Sequence, residues 1–169
     1  MEILLEDKEL LICRHAKSSW QDSTLTDFDR PLNKRGERDA PVMAQRLCER
    51  AFKPDLILSS PAVRARRTAE IYASALGYPL GDICYNQLQY AASWPMLLNL
   101  LQQVEEHHRR IFLVGHNPES TSLANALGGL TLSNIPTAGM VALAFSGSWA
   151  ELREQSGSLL FFDFPKNSF

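Results

Sequence analysis

Leu10-Leu11-Ile12-Cys13-Arg14-His15-Ala16-Lys17-Ser18-Ser19-Trp20 is the stretch that decides the fold. Its apolar half reads as a buried strand over Lys8–Cys13. The strand ends abruptly in Arg14-His15, followed by a small residue and a polar, turn-prone segment. Packing does not require an arginine and a histidine there. In an α/β protein the carboxyl end of a strand is where ligands sit. Histidine can act as a nucleophile and arginine as a phosphate clamp.

The same logic runs outward along the chain. Residues 14–32 lack a helical or strand period and read as a loop. Asn33 is a good cap for a helix running to about Ala51, with Ala40, Met43, Ala44 and Leu47 on one face. Leu56-Ile57-Leu58 is a second short buried strand. Ser60 then caps a helix with Pro61 at its first position, and Gly77 ends it. Asp82–Tyr85 is a short third strand, and Ser93-Trp94-Pro95 starts a helix to about His107. A fourth strand, Ile111–Val114, ends in Gly115-His116-Asn117-Pro118. Asn117 caps the next helix, which stops at Gly128-Gly129. Met140–Phe145 and Leu159–Phe164 are two late strands. This alternation predicts a single domain over 1–169, an α/β fold: a three-layer α/β/α sandwich around a mostly parallel central sheet.

At 169 residues the chain can bury a full core. A formal net charge of −2 argues against a general nucleic-acid binder. No apolar run is long enough to span a bilayer. The charged segment Met1–Glu9 does not resemble a signal peptide, so a cytoplasmic location is expected. Cys13, Cys48 and Cys84 show neither metal-ligand spacing nor a redox pair and read as reduced, mostly buried thiols. No sequence pattern offers a metal site, and no cofactor is expected.

Three predicted strand ends carry chemistry. Arg14 and His15 follow the first strand, Arg64 lies in the first turns of the helix after the second, and His116 follows the fourth. In an open α/β sheet these ends face one crevice. The helix starts near Pro61 and Pro118 aim amides at it, and helix N-termini favour anions. Phosphate is the obvious ligand. Arg14 and Arg64 can give paired donors to its oxygens, and His116 can stabilise transition-state charge. His15, fixed by its strand and with small Ala16 beside it, is the better placed nucleophile. Lys17, Ser18 and Ser19 either touch phosphate or form a polar turn, with Ser18 assigned to the pocket. Arg30 either braces its loop or borders the phosphate. Trp20, Trp94 and Trp149 read as packing residues. His107 and His108, with Arg109 and Arg110, read as a solvated helix end. Phe161, Phe162 and Phe164 make a last strand or a dimer edge, so a homo-oligomer stays open.

Arg14-His15-Ala16 resembles the signature of the histidine phosphatase superfamily, which includes the phosphoglycerate mutases. Three further stretches match its pattern in order: Arg30-Pro31-Leu32-Asn33-Lys34-Arg35-Gly36, the segment Leu58–Ala69 around Arg64, and Val114-Gly115-His116-Asn117-Pro118. The short chain and the segment Arg14–Trp20 look most like the small phosphohistidine phosphatase branch, the SixA type. The resemblance covers about residues 8–128. It implies a phosphoglycerate-mutase-like fold, phosphorylation of His15, and phosphoryl binding by Arg14, Arg64 and His116. Water then hydrolyses the intermediate.

One departure from the superfamily pattern bears on substrate. Mutases and many ester phosphatases of the superfamily place a glutamate acid after the second-arginine helix. Here Ile83–Val104 contains no carboxylate. General acid help is typically worth about 10²–10⁴ in rate, so its absence favours leaving groups that depart readily. A phosphorylated histidine qualifies, as does an aryl phosphate. Asp22, Asp27 or Asp29 on the long loop could supply an acid instead. The expected activity is a metal-independent phosphatase acting on phosphohistidine protein or another small activated phosphate. The alternatives are a broad small-molecule phosphomonoesterase, a mutase, and a phosphate- or phosphoprotein-binding module without turnover.

Overall fold

The computed structural model describes residues 8–167. The expectation about the charged N-terminal segment therefore falls mostly on residues 1–7, outside the described ones. Six strands form one sheet: β1 (Lys8–Arg14), β2 (Leu56–Ser59), β3 (Cys84–Tyr85), β4 (Arg110–Gly115), β5 (Met140–Phe145) and β6 (Ser158–Asp163), in the order β3-β2-β4-β1-β5-β6. The β1–β4, β2–β4 and β2–β3 pairs are parallel; β1–β5 and β5–β6 are antiparallel. The helices are α1 (Lys34–Glu49), α2 (Val63–Leu76), α3 (Leu88–Ala91), α4 (Trp94–Gln102) and α5 (Glu119–Gly128).

Strand side chains alternate between two apolar layers, as a period of two requires. Leu11, Cys13, Phe112, Val114, Met140 and Ala142 join the core that holds Ala40, Met43 and Leu47 of α1 with Ala65, Ala69 and Tyr72 of α2. Leu10, Ile12, Ile111, Leu113, Val141 and Leu143 join the opposite core, with Leu97 and Leu101 of α4 and Leu123 and Leu127 of α5. Because both faces are covered, the central strands read as continuous apolar runs.

Several helix ends match their sequence signals. The Asn33 side chain accepts from Gly36 N–H at the start of α1. Gly77 and Gly129 end α2 and α5 in the left-handed conformation, which glycine adopts without a Cβ penalty. Four boundaries differ from expectation. The third strand is only Cys84–Tyr85, with Leu80–Asp82 wound into a 3-10 turn before it. Helix α5 begins at Glu119, with Pro118 rather than Asn117 at its cap position. The helix α2 begins at Val63, because Ser60 Oγ accepts from Ala62 N–H and turns toward His116 rather than capping a helix at Pro61. Helix α4 stops at Gln102, where Gln103 and Val104 tighten into i→i+3 bonds. His107 and His108 therefore lie in the turn beyond it. Among the described residues no helix is long and apolar enough to cross a membrane.

The register explains the site. Arg14 is level with Gly115, and Ser59 with Val114. The chain therefore leaves β1, β2 and β4 side by side, presenting His15, Ser60 and His116 along one edge.

Candidate active site

A cavity of about 520 Å³ opens at these strand ends. Arg14, His15, Ser18, Arg64 and His116, the residues singled out in the sequence, all line it. Lys17, Arg30, Asp27, Tyr90 and Glu119 line it too, so four cations face two carboxylates.

His15 is held from three sides. Its N–H donates to Gly115 O (3.0 Å), and its carbonyl accepts from Ala138 N–H (3.1 Å). Its ring Nδ1 lies 2.7 Å from Ala16 O. A carbonyl only accepts, so Nδ1 carries the proton and Nε2 is left with its lone pair. Arg64 Nε donates to that Nε2 at 3.3 Å. Burial, opposed by the bond to Ala16 and aided by His116 and the arginines, pushes the His15 pKa down to about 3. The ring is thus neutral at physiological pH.

Thr68, on α2, ties this loop to the arginine. Its hydroxyl accepts from Ala16 N–H (3.0 Å) and donates to Arg64 O one turn earlier (2.8 Å). Arg64 is buried, and both its terminal nitrogens go to Asp27: Nη1 to the backbone O at 2.6 Å and Nη2 to Oδ2 at 3.0 Å. Asp27 also accepts from Tyr90 OH (2.8 Å) and Arg30 Nε (3.2 Å). Partial burial raises its pKa, but Tyr90, Arg64 and Arg30 outweigh that and hold it below the usual range. Asp27 is accordingly ionised and is no proton donor at neutral pH. Asp22 and Asp29 bond to Thr24 and Thr26 and do not line the cavity.

The His116 ring sits 5.2 Å from that of His15. Its Nε2 lies 2.8 Å from Ser60 Oγ. Ser60 Oγ also accepts from Ala62 N–H; with the serine hydrogen turned to His116 Nε2, the ring proton sits on Nδ1 and faces the cavity as a donor. Burial, with Arg64 nearby, pushes the His116 pKa down to about 4. His116 Nδ1 and Arg14 Nε are buried without a partner among the described residues. The orphaned Arg14 Nε–H is a donor, and His116 Nδ1 is one in the tautomer that accepts from Ser60; on the wall of a cationic cavity such groups suit an oxyanion ligand.

The segment Arg30–Gly36 acts as the backing of this loop. Ser19 N–H donates to Pro31 O (2.8 Å) and Asn33 N–H to Lys17 O (3.0 Å). A Cβ on Gly36 would lie 2.2 Å from Lys17 O.

Some sequence readings are corrected. Arg30 both braces the loop and lines the cavity. Trp20 is exposed at the cavity mouth, whereas Trp149 is a core residue. Of the cysteines only Cys13 is buried; burial pushes its thiol up to about 12, which keeps it inert. The stretch Ile83–Val104 supplies no carboxylate, yet the cavity has two, from Asp27 and Glu119. Glu119 was legible as an acid directly after His116-Asn117-Pro118; Thr68 lay within the matched stretch Leu58–Ala69 without a role being read for it, and Tyr90 carried no sequence signal. Among the described residues no cluster of three or more His, Cys, Asp or Glu side chains could hold a metal ion.

Fold and cavity together define a class: an α/β protein with a phosphoglycerate-mutase-like sheet and a cavity lined by arginines and histidines at its strand ends. The profile of the histidine phosphatase superfamily (branch 1) matches residues 10–83. A solved protein of Agrobacterium tumefaciens, described as a candidate phosphohistidine phosphatase SixA, is 32% identical with a TM-score of 0.81, covering 94% of this chain and 98% of that one. An uncharacterised chloroplastic protein of Arabidopsis thaliana is 32% identical over 163 residues, 89% of this chain and 72% of that protein. The protein histidine phosphatase SixA solved with tungstate shares the fold, with a TM-score of 0.79 at 21% identity over 93% of this chain and 97% of that one. The chain belongs to the histidine phosphatase superfamily, branch 1, and is similar to its SixA-type members.

Proposed function

We propose that this protein is a metal-independent phosphatase that hydrolyses phosphohistidine in proteins, or other activated phosphate compounds, through a phospho-His15 intermediate. The observation that carries this reading is the His15 ring itself: Nδ1–H is fixed on Ala16 O, so Nε2 is a neutral nucleophile whose lone pair is held by Arg64 Nε and is released from it on attack. A pure binding module has no need of such a group.

The Nε2 lone pair attacks phosphorus, and the bond to the leaving group breaks with its electron pair on the departing atom. Phosphohistidine leaves as neutral imidazole, its distal nitrogen already carrying the proton. Arg14, Arg64 and His116 Nδ1–H hold the phosphoryl oxygens as charge develops. For Arg64 to do so, the phosphoryl group must replace Asp27 on its terminal nitrogens. Water then attacks the phospho-His15 phosphorus, Nε2 recovers its lone pair, and inorganic phosphate departs. Cationic side chains supply the charge stabilisation, so the steps need no Lewis acid.

Glu119 favours a second reading. A carboxyl side chain on the cavity wall is a source for the proton an alkoxide leaving group needs, which would make the protein a broader phosphomonoesterase. Rates on a phosphohistidine protein, an aryl phosphate and an alkyl phosphate separate the two, with Glu119→Gln as the variant. Phosphoramidate and aryl turnover far above alkyl turnover, insensitive to Glu119→Gln, supports the first. Alkyl turnover that is comparable and lost in Glu119→Gln supports the second. Full activity in His15→Ala removes both.

A further inference from the structure

Trp20 has no part in the reaction described above, and the backbone beside it is tied down by bonds that do not involve the indole. Ser19 N–H bonds Pro31 O, and Gln21 N–H bonds Ser19 Oγ, so the flanking backbone is held without the indole. Yet the side chain is 72% exposed at the mouth of the cavity. A large aromatic surface left in water at the mouth of a cavity is positioned to meet whatever enters it.

The indole is also oriented. The Arg30 guanidinium carbon lies 3.4 Å from its ring centroid. Arg30 is itself buried and anchored on Asp27 Oδ1 (3.2 Å) and Ser19 O (3.4 Å). A stacked guanidinium fixes the plane of the ring and leaves the rest of its surface free. Tyr90 also lines the cavity, with Phe28 edge-on at 5.0 Å and its hydroxyl on Asp27. The mouth therefore presents fixed aromatic surface, while the floor presents cations.

We infer that Trp20 is a specificity-determining residue that receives a planar aromatic leaving group, an imidazole or an aryl ring, as its phosphoryl group enters the cationic floor. This rests on the proposed phosphatase reading and adds to it the part of the site that selects the leaving group. A ring against an indole gains up to about tenfold in affinity over an aliphatic group. The selection is made by shape and polarisability, so it applies to imidazole and phenyl alike.

Binding of phosphonates tests this without turnover. Calorimetry compares methylphosphonate, phenylphosphonate and imidazolylmethylphosphonate on wild type, Trp20→Ala and Trp20→Phe. The wild type is expected to prefer one or both planar ligands by up to about tenfold, Trp20→Phe to keep most of that preference, and Trp20→Ala to reduce it below about threefold. Loss for only one ring names which leaving group the platform takes. A preference that survives in Trp20→Ala overturns the inference. So does an equal loss for all three ligands, which would mean that Trp20 acts only through Arg30, and so does failure of the wild type to bind any of them. Failure of the phosphatase reading shows separately, as planar preference without phosphorylation of His15.

Discussion

Arg64 gives both terminal nitrogens to Asp27, Nη1 to its backbone oxygen at 2.6 Å and Nη2 to its carboxylate at 3.0 Å. The aspartate thus occupies the donors that a phosphoryl group requires. Substitution Asp27→Asn keeps the shape and the backbone contact but removes a negative charge from the cavity. The carboxylate is half-exposed, which dilutes its repulsion of a phosphate dianion. Inorganic phosphate is expected to inhibit Asp27→Asn about three- to tenfold more tightly than wild type. Weaker inhibition would mean that Asp27 chiefly orients Arg64 for phosphate.

Thr68 joins the nucleophile loop to the arginine helix through one hydroxyl. Thr68→Val preserves volume but leaves Ala16 N–H buried without an acceptor. Such a group costs about 1–3 kcal/mol. Urea denaturation is expected to show that loss. Turnover should fall about tenfold, mostly in kcat, because the His15 ring and Arg64 lose their common tie. A stable variant with unchanged kcat would contradict this coupling.

Gly36 is required for a steric reason. Its hypothetical Cβ meets backbone at Lys17 O, 2.2 Å away, and backbone cannot move aside cheaply. Gly36→Ala is expected to lose about 1–3 kcal/mol or more in urea denaturation and to displace the Lys17–Ser19 loop, with a matching fall in phosphate affinity. Wild-type stability and affinity would show that the loop tolerates the shift.

The two histidines set a pH signature. In the fold their pKa values are about 3 for His15 and about 4 for His116, against about 6.5 in the unfolded chain. Both are neutral in the fold, so between about pH 6.5 and the folded values only the unfolded chain takes up their protons. Their share of stability is present above about pH 6.5 and is lost as pH falls toward about 3–4, by up to about 8 kcal/mol in total. Urea midpoints at pH 7 and pH 4.5 should differ less in His15→Ala than in wild type. Protonation of His15 should limit kcat only near pH 3. An inflection near pH 6 that followed His15 rather than the substrate phosphate would contradict its burial.

Much of this architecture was legible in the sequence because short apolar strands, the Asn33 cap and the Gly77 and Gly129 stops are local signals. Arg14-His15 and His116 were readable because parallel strands deliver their carboxyl ends to one edge, so strand position alone places them together. Asp27 could be named only as one of three loop carboxylates, since the return of a long loop over Arg64 depends on tertiary contacts. The contacts of Tyr90 and Thr68 could not be read for the same reason: their partners lie 63 and 52 residues away. Trp20 read as packing because indoles are usually buried, and only the fold shows it at the cavity mouth. The early stop of α4 reflects hydrogen bonding in its last turn, which hydrophobic periodicity does not encode.

The central claim is that His15 Nε2 takes the phosphoryl group. The direct measurement is rapid acid-free quench of enzyme turning over an activated phosphate, followed by 31P NMR and peptide mapping. The account predicts one acid-labile phosphoryl group, on His15 and on Nε2 rather than Nδ1, which is fixed to Ala16 O. It is absent in His15→Ala. Turnover with no phosphoenzyme, or a phosphoryl group on Nδ1 or on His116, would contradict it.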